Sequence, residues 1–294
     1  MNRRWLLCAC LIAAFVQIGF AQKDYRAEFN VLFEKEDYAG QAKLLEAWEK
    51  AKPDDPELYV AYFNHFINKG RQEFLTMSAD RPPGDSLKMT KADDPKTVFY
   101  LGSQVSFRRE EFDRALVYID RGIAKFPNRL DMRFGKTYAL GQIEDYRRFT
   151  DEIVKTLEYS GVNRNAWLWM EDKPVENPKK FMLSSIQDYV AQLFDAEGDY
   201  GAFIRTIAET VLKFYPDSVE NLSNLGVSYM IQNDFDRALP PLLKAEKLAP
   251  TDYIVLANIA FCYFKRGINR TPSSITKRSS NTGTTTPGRR RGRN

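Results

Sequence analysis

The chain has 294 residues, 44% apolar and 13% aromatic, enough to fill the core of one or two ordinary domains, which excludes intrinsic disorder for its bulk. Its formal charge of +4 is set by the two ends: of the 43 Lys and Arg, nine are Arg3, Arg4 and the bases of residues 270–293, stretches without an acid. The remaining 34 face 39 acidic residues, so the body from 22 to 267 carries about −5 and gives no electrostatic ground for a nucleic-acid partner.

Residues 1–21 read as a secretory signal. Arg3 and Arg4 form the positive region, Trp5 to Phe20 the apolar run, and Gly19-Phe20-Ala21 a small-residue cleavage site before Gln22. This predicts export to the periplasm or cell envelope with no membrane span after cleavage; left uncleaved, the same run would anchor the chain by its N-terminus. Cys8 and Cys10 raise lipid attachment as a third option, against which the run stays apolar well beyond Cys10. Once the signal is removed only Cys262 remains, in an apolar helical pattern that suits a core position better than a nucleophile. His65, the only histidine, lies among Tyr59, Tyr62, Phe63 and Phe66 with no ligand cluster beside it, so histidine catalysis and histidine metal sites have no basis.

Helical periodicity begins at once. Tyr25, Phe29, Leu32 and Phe33 share a face, as do Leu44, Leu45, Trp48 and Ala51 before Pro53. Residues 71–96, with Arg81-Pro82-Pro83-Gly84-Asp85, read as a long loop, and 160–179 as an irregular insertion. A further helix pair is expected over 180–194 and 201–215, closed by Pro216.

The most informative stretch is 217–250. Leu222, Leu225, Gly226 and Tyr229, then Ala238 and Leu242, then Pro250 follow the tetratricopeptide signature W-x2-L-G-x2-Y, A-x3-F, P, with Leu222 and Leu242 in place of aromatics. One period of about 34 residues further on lie Leu256, Ile259, Ala260 and Tyr263, the first helix of another unit. Phe112, Ala115, Leu116, Ile119 and Gly122 repeat the second-helix pattern, and Phe134-Gly135 with Tyr138 repeats the first. The chain thus resembles the tetratricopeptide-repeat family, in the manner of an exported bacterial-type member, strongly over 217–267, fairly over 99–157 and weakly elsewhere. The resemblance implies an all-α solenoid of antiparallel helix hairpins over 22–267, whose concave groove holds a peptide or protein.

No catalytic constellation, phosphate loop or zinc-type spacing is present, so no enzyme activity, cofactor or metal is expected. Three features are candidates for binding. Arg129, Arg133 and Lys136 recur at i, i+4 and i+7; the resemblance places them on a groove-lining helix where they would clamp an acidic ligand, and the alternative is a solvated face paired to neighbours. Val227, Met230, Phe261 and Phe264 would form an apolar groove stripe or pack against the next repeat. Trp167 and Trp169 alternate, which puts both on one side of a strand; exposed, they would stack on sugars and support a carbohydrate-binding or envelope-enzyme accessory role, and buried they would close the core.

Residues 268–294 break the pattern. At face value they are a disordered basic tail. A shift of reading frame accounts for them differently, since permitted codons regroup into a helix-forming segment with Ala at 272 and Tyr at 276, in register with Ala238 and Leu242. Without that second helix, Leu256, Ile259 and Tyr263 are expected to face water. The function read from the whole is a non-enzymatic protein-interaction scaffold or adaptor.

Overall fold

The computed structural model describes residues 23–81, 86–91, 93, 94 and 96–267. The expected signal at 1–21 and the tail at 268–294, with its frameshift reading, lie outside the described residues.

The chain divides into two compact units after Pro53. The first contains one helix hairpin, α1 (Tyr25–Glu34) and α2 (Tyr38–Ala51), closed around Phe29, Leu44, Leu45 and Trp48. The second carries α3 (Pro56–Gly70), β1 (Arg71–Ser78), β2 (Ser86–Thr90), β3 (Val98–Phe107), α4 (Arg109–Lys125), α5 (Leu130–Gln142) and α6 (Tyr146–Val162). It continues through β4 (Leu168–Trp169), a single 3-10 turn, β5 (Lys173–Pro174), α7 (Pro178–Asp195), α8 (Gly201–Phe214), α9 (Val219–Ile231), α10 (Phe235–Leu248) and α11 (Tyr253–Lys265). Within this unit successive helices pack on one another in chain order, α3 with α4, α5 with α6, α7 with α8 and α9 with α10, which is the arrangement of an α-solenoid of antiparallel hairpins.

Three of the tight turns, between α1 and α2, α5 and α6, and α9 and α10, share one local chemistry. Glu36, Glu144 and Asn233 sit at φ of 53°, 55° and 58°, and each is followed by an aspartate that caps the next helix. Asp37 accepts from Gly40 N at 2.9 Å, Asp145 from Arg148 N at 3.0 Å and Asp234 from Arg237 N at 3.0 Å. The left-handed residue reverses the chain and the aspartate satisfies an orphan amide of the new helix, so the reversal needs few residues. Two prolines, Pro240 and Pro241, lie inside α10 itself.

The hairpin of α3 and α4 has no such turn. Where a loop was expected over 71–96, and repeat sequence from 99, the chain forms a three-stranded antiparallel sheet in the order β1-β3-β2. The register runs from Arg71 opposite Phe107 to Ser78 opposite Tyr100, and from Ser86 opposite Gly102 to Thr90 opposite Val98. β1 leaves directly from the end of α3 and β3 enters α4, with Arg108 N donating to Gly70 O at 2.9 Å at the joint. Gly70 is required small there, because a Cβ would lie 2.9 Å from Glu111 Cβ. The insertion at 160–179 is present as β4, β5 and the turn between them, α6 persisting to Val162 and α7 starting at Pro178.

At the C-terminal end Leu222, Ala238, Leu242, Ala245, Val255, Ile259 and Cys262 form one core cluster, with Tyr229 and Tyr263 packed at its margin. The expectation that Leu256, Ile259 and Tyr263 face water is corrected: Ile259 is fully buried and the other two are half-buried. Ile259 and Tyr263, with Val255 and Cys262, pack in the core cluster shared with α9 and α10 of the preceding hairpin.

Candidate functional site

The basic triad is not an open clamp. Arg129 is the residue before α5, not within it, and is 1% exposed. Its Nε and Nη2 donate to Asp131 Oδ1 and Oδ2 at 2.9 and 2.7 Å, Nη2 also meets Glu57 Oε1 at 2.8 Å, and Nη1 reaches Asp172 Oδ1 at 3.3 Å. Burial disfavours its charge, but Asp131 and Glu57 outweigh burial and hold its pKa above the ordinary value. Arg133 is buried, donates from Nε to Pro127 O at 3.2 Å and lies over the rings of Tyr159 and Trp167 at 4.7 and 5.8 Å. Burial pulls its pKa down, with Glu152 and Tyr159 opposing. Lys136 pairs with Asp120 at 2.6 Å and with the buried Glu152 at 2.8 Å. Burial again opposes its charge, and Glu152 with Asp120 raises the pKa nonetheless. The three residues do not form an open ligand clamp; of the alternative, the pairing to Asp131 and other neighbours holds, but the face is buried and not solvated. They are internal ion-pair and stacking partners that join α3, α4, α5, α6 and the 160–179 insertion.

The two tryptophans are placed differently. Trp167 is 1% exposed and packs against Tyr159 at 5.8 Å, with its indole nitrogen buried and unpartnered. It precedes β4, whereas Trp169 is in it, half-buried edge-on to Phe181 at 5.2 Å. No ring face of Trp167 is open to a sugar, so the two indoles do not form a paired platform, and Trp169 alone stays part-exposed. The apolar stripe splits. Met230 packs against the C-terminal core and Val227 is half-buried, while Phe264 is exposed and Phe261, also exposed, meets Phe235 edge-on at 6.1 Å.

His65 and Cys262 belong to the core. His65 is buried against Phe66 at 4.9 Å, and burial, helped by Lys69, lowers its pKa to about 4. Burial raises the Cys262 thiol to about 11, so no thiolate is available near neutrality.

The cleft best suited to a ligand lies between α7 and α9, a pair that sequence reasoning did not single out. It has a volume of about 520 Å³ and is lined by Lys179, Lys180 and Gln187 from α7 and by Ser218, Glu220 and Asn221 at the start of α9. Asn221 is 3% exposed; its Nδ2 donates to Ser218 Oγ at 3.0 Å, and its Oδ1 is buried without a partner. A buried acceptor left unpaired costs about 1–3 kcal/mol, so this oxygen is poised to gain from a donor supplied by a ligand. Lys179 stands over the Tyr215 ring at 5.0 Å, and among the described residues neither Lys179 nor Lys180 has a carboxylate within ion-pair range. Gln187 is held in place by Asn224 Nδ2, which donates to its Oε1 at 2.8 Å. A larger cleft of about 610 Å³ at the foot of the sheet includes Tyr146, Tyr200 and Phe203, but there Arg109 and Arg148 are already paired with Asp113 and Asp145.

No family model matches the chain, and no curated protein matches it. Among solved structures it is similar to the P58(IPK) TPR domain, at 12% identity over 84% of this chain and 66% of that one, with a TM-score of 0.30. Likeness at that level adds nothing to the fold already evident from the helices.

Proposed function

We propose that the protein is a non-enzymatic interaction scaffold of the cell envelope that holds an acidic, extended peptide segment of a partner protein in the cleft between α7 and α9. Export rests on the signal-like residues 1–21, and the scaffold role on the repeat pattern at 222–250. The observation that carries the binding reading is Asn221. Its unpaired, buried Oδ1 supports recognition of a peptide backbone N–H, while Lys179 and Lys180 at the rim would meet acidic side chains of the same segment.

The test is fluorescence anisotropy with labelled peptides of about twelve residues, enough to cross such a cleft, in acidic, neutral and basic versions. The acidic peptide is expected to bind best, and Asn221→Ala and the pair Lys179→Gln with Lys180→Gln each to weaken it at unchanged helical content. Equal binding of all three peptides, or wild-type affinity in both variants, would overturn the assignment of this cleft.

A further inference from the structure

We propose that the inserted sheet is a self-association surface, on which the apolar face of β1-β3-β2 packs against the same face of a second copy of this chain. Paired positions in the register are all odd with odd or even with even, so side chains divide cleanly between two faces. The odd face carries Leu75 and Met77 from β1, Leu87 and Met89 from β2, and Phe99, Leu101 and Val105 from β3. The even face is more polar, with Thr76, Ser78, Lys88, Thr90, Tyr100 and Gln104, and its apolar members are Phe74 and Val98.

Alternation of this kind belongs to a sheet with one covered side, yet here the apolar side is open. Leu75 is 72% exposed, Met77 62%, Leu87 64% and Met89 41%. With the partly exposed Phe99 and Leu101 the patch amounts to roughly 500 Å², the size at which a monomer's largest apolar patch is ordinarily functional.

Charge and area point to a second copy. On the odd face Arg71 is paired with Glu73 at 3.1 Å, and at the far end Lys91 is paired with Asp93 at 3.3 Å. The border is neutral and internally satisfied, so it neither repels an identical face nor selects an oppositely charged partner or an anionic lipid surface. An extended peptide added at the free edge of β1 would leave Leu87 and Met89 uncovered on the opposite edge strand. An identical sheet laid face to face, at the usual spacing of about 10 Å, covers all four side chains at once. Two such faces bury about 1,000 Å², the lower limit for a specific interface, so a reversible dimer is expected.

Sedimentation velocity of the full chain between about 1 and 100 μM tests this. A reversible monomer–dimer equilibrium is expected. Leu75→Lys and Leu87→Lys should each raise the concentration needed for dimer at least tenfold, with helical circular dichroism unchanged because both positions are at the surface. Phe74→Lys, on the even face of the same strand, should leave the equilibrium as it is, and Met77→Glu serves as an independent odd-face variant. Wild-type protein that stays monomeric over the whole range overturns the proposal, including the case in which it binds lipid vesicles through Leu75. So does a dimer that survives Leu75→Lys, or one weakened as much by Phe74→Lys.

Discussion

Gly226 and Leu242 meet at the closest crossing of α9 and α10, where a Cβ on the glycine would stand 2.5 Å from Leu242 Cγ and 2.8 Å from Cδ2. Leu242 is fully buried, so it has no room to yield. Gly226→Ala is therefore expected to destabilise by about 1–3 kcal/mol through overpacking, and Leu242→Ala by about 2–5 kcal/mol through the cavity it leaves. The informative result is the pair. The double variant should cost clearly less than the two losses added together, because the alanine at 242 makes the space that the new methyl needs. Additive losses in urea denaturation would show that the contact does not set this crossing.

Arg129 supplies a second prediction. It is the common partner of Glu57 on α3, Asp131 on α5 and Asp172 in the 160–179 insertion. Arg129→Gln takes the cation away from the covered carboxylates of Asp131 and Glu57 and should cost roughly 3–5 kcal/mol. Arg129→Lys should recover only part of that, since an ammonium cannot make the two parallel bonds to Asp131 while also reaching Glu57. Limited proteolysis should show the insertion becoming the first site of cleavage in both variants. Equal stability of the Lys variant and the wild type would refute the bidentate role.

What the sequence made legible follows from how each signal is encoded. The small residue Gly226, the alanine at 238 and the spacing to Tyr229 report a helix crossing directly, because only small side chains fit there. The sheet was missed because Arg81-Pro82-Pro83-Gly84-Asp85 dominates the reading of 71–96. The alternation in Ser86-Leu87-Lys88-Met89-Thr90, repeated in Phe99-Tyr100-Leu101, was the signal that would have found it. The basic triad was misread for a different reason. Spacing at i, i+4 and i+7 fixes a shared side of a helix but not whether that side faces water, and here it faces Glu57, Asp120 and Glu152 from other helices. The α7–α9 cleft gave no advance signal, since Asn221 and Lys179 come together only through packing across 42 positions of sequence.

The cleft makes a third prediction, in its response to salt. If Lys179 and Lys180 contribute by charge at an exposed rim, binding of an acidic peptide should weaken as salt rises from about 0.05 to 0.5 M. In the Lys179→Gln, Lys180→Gln protein that dependence should flatten. Asn221→Ala should lower affinity at every salt concentration by a similar factor, because its contribution is a desolvated hydrogen bond and not a long-range field. Two variants with the same salt profile would contradict this division of roles.

The last prediction concerns acid. His65 is the only histidine, and its folded pKa of about 4 lies below the unfolded value of about 6.5, because burial and the nearby Lys69 and Arg114 oppose the imidazolium more than Glu111 favours it. A depressed value means that the folded state refuses a proton that the unfolded state accepts. Stability is therefore fully present above about pH 6.5 and is lost progressively as pH falls toward about 4. By pH 5 the loss from this one group should approach about 2 kcal/mol. Glu111 adds to the trend at lower pH. Burial disfavours its charge, but Lys69 at 2.8 Å, with Arg114 and Arg108, outweighs this and leaves its pKa below the ordinary value, so its contribution is lost as it is protonated. The two are separable by window, since the carboxylate contributes nothing to the change between pH 7 and 5.5. His65→Phe, which keeps an aromatic ring beside Phe66, should flatten stability over that upper window while leaving the acid limb below pH 4.5 in place. An unchanged slope between pH 7 and 5.5 in that variant would mean that the imidazole is protonated without cost in the folded protein.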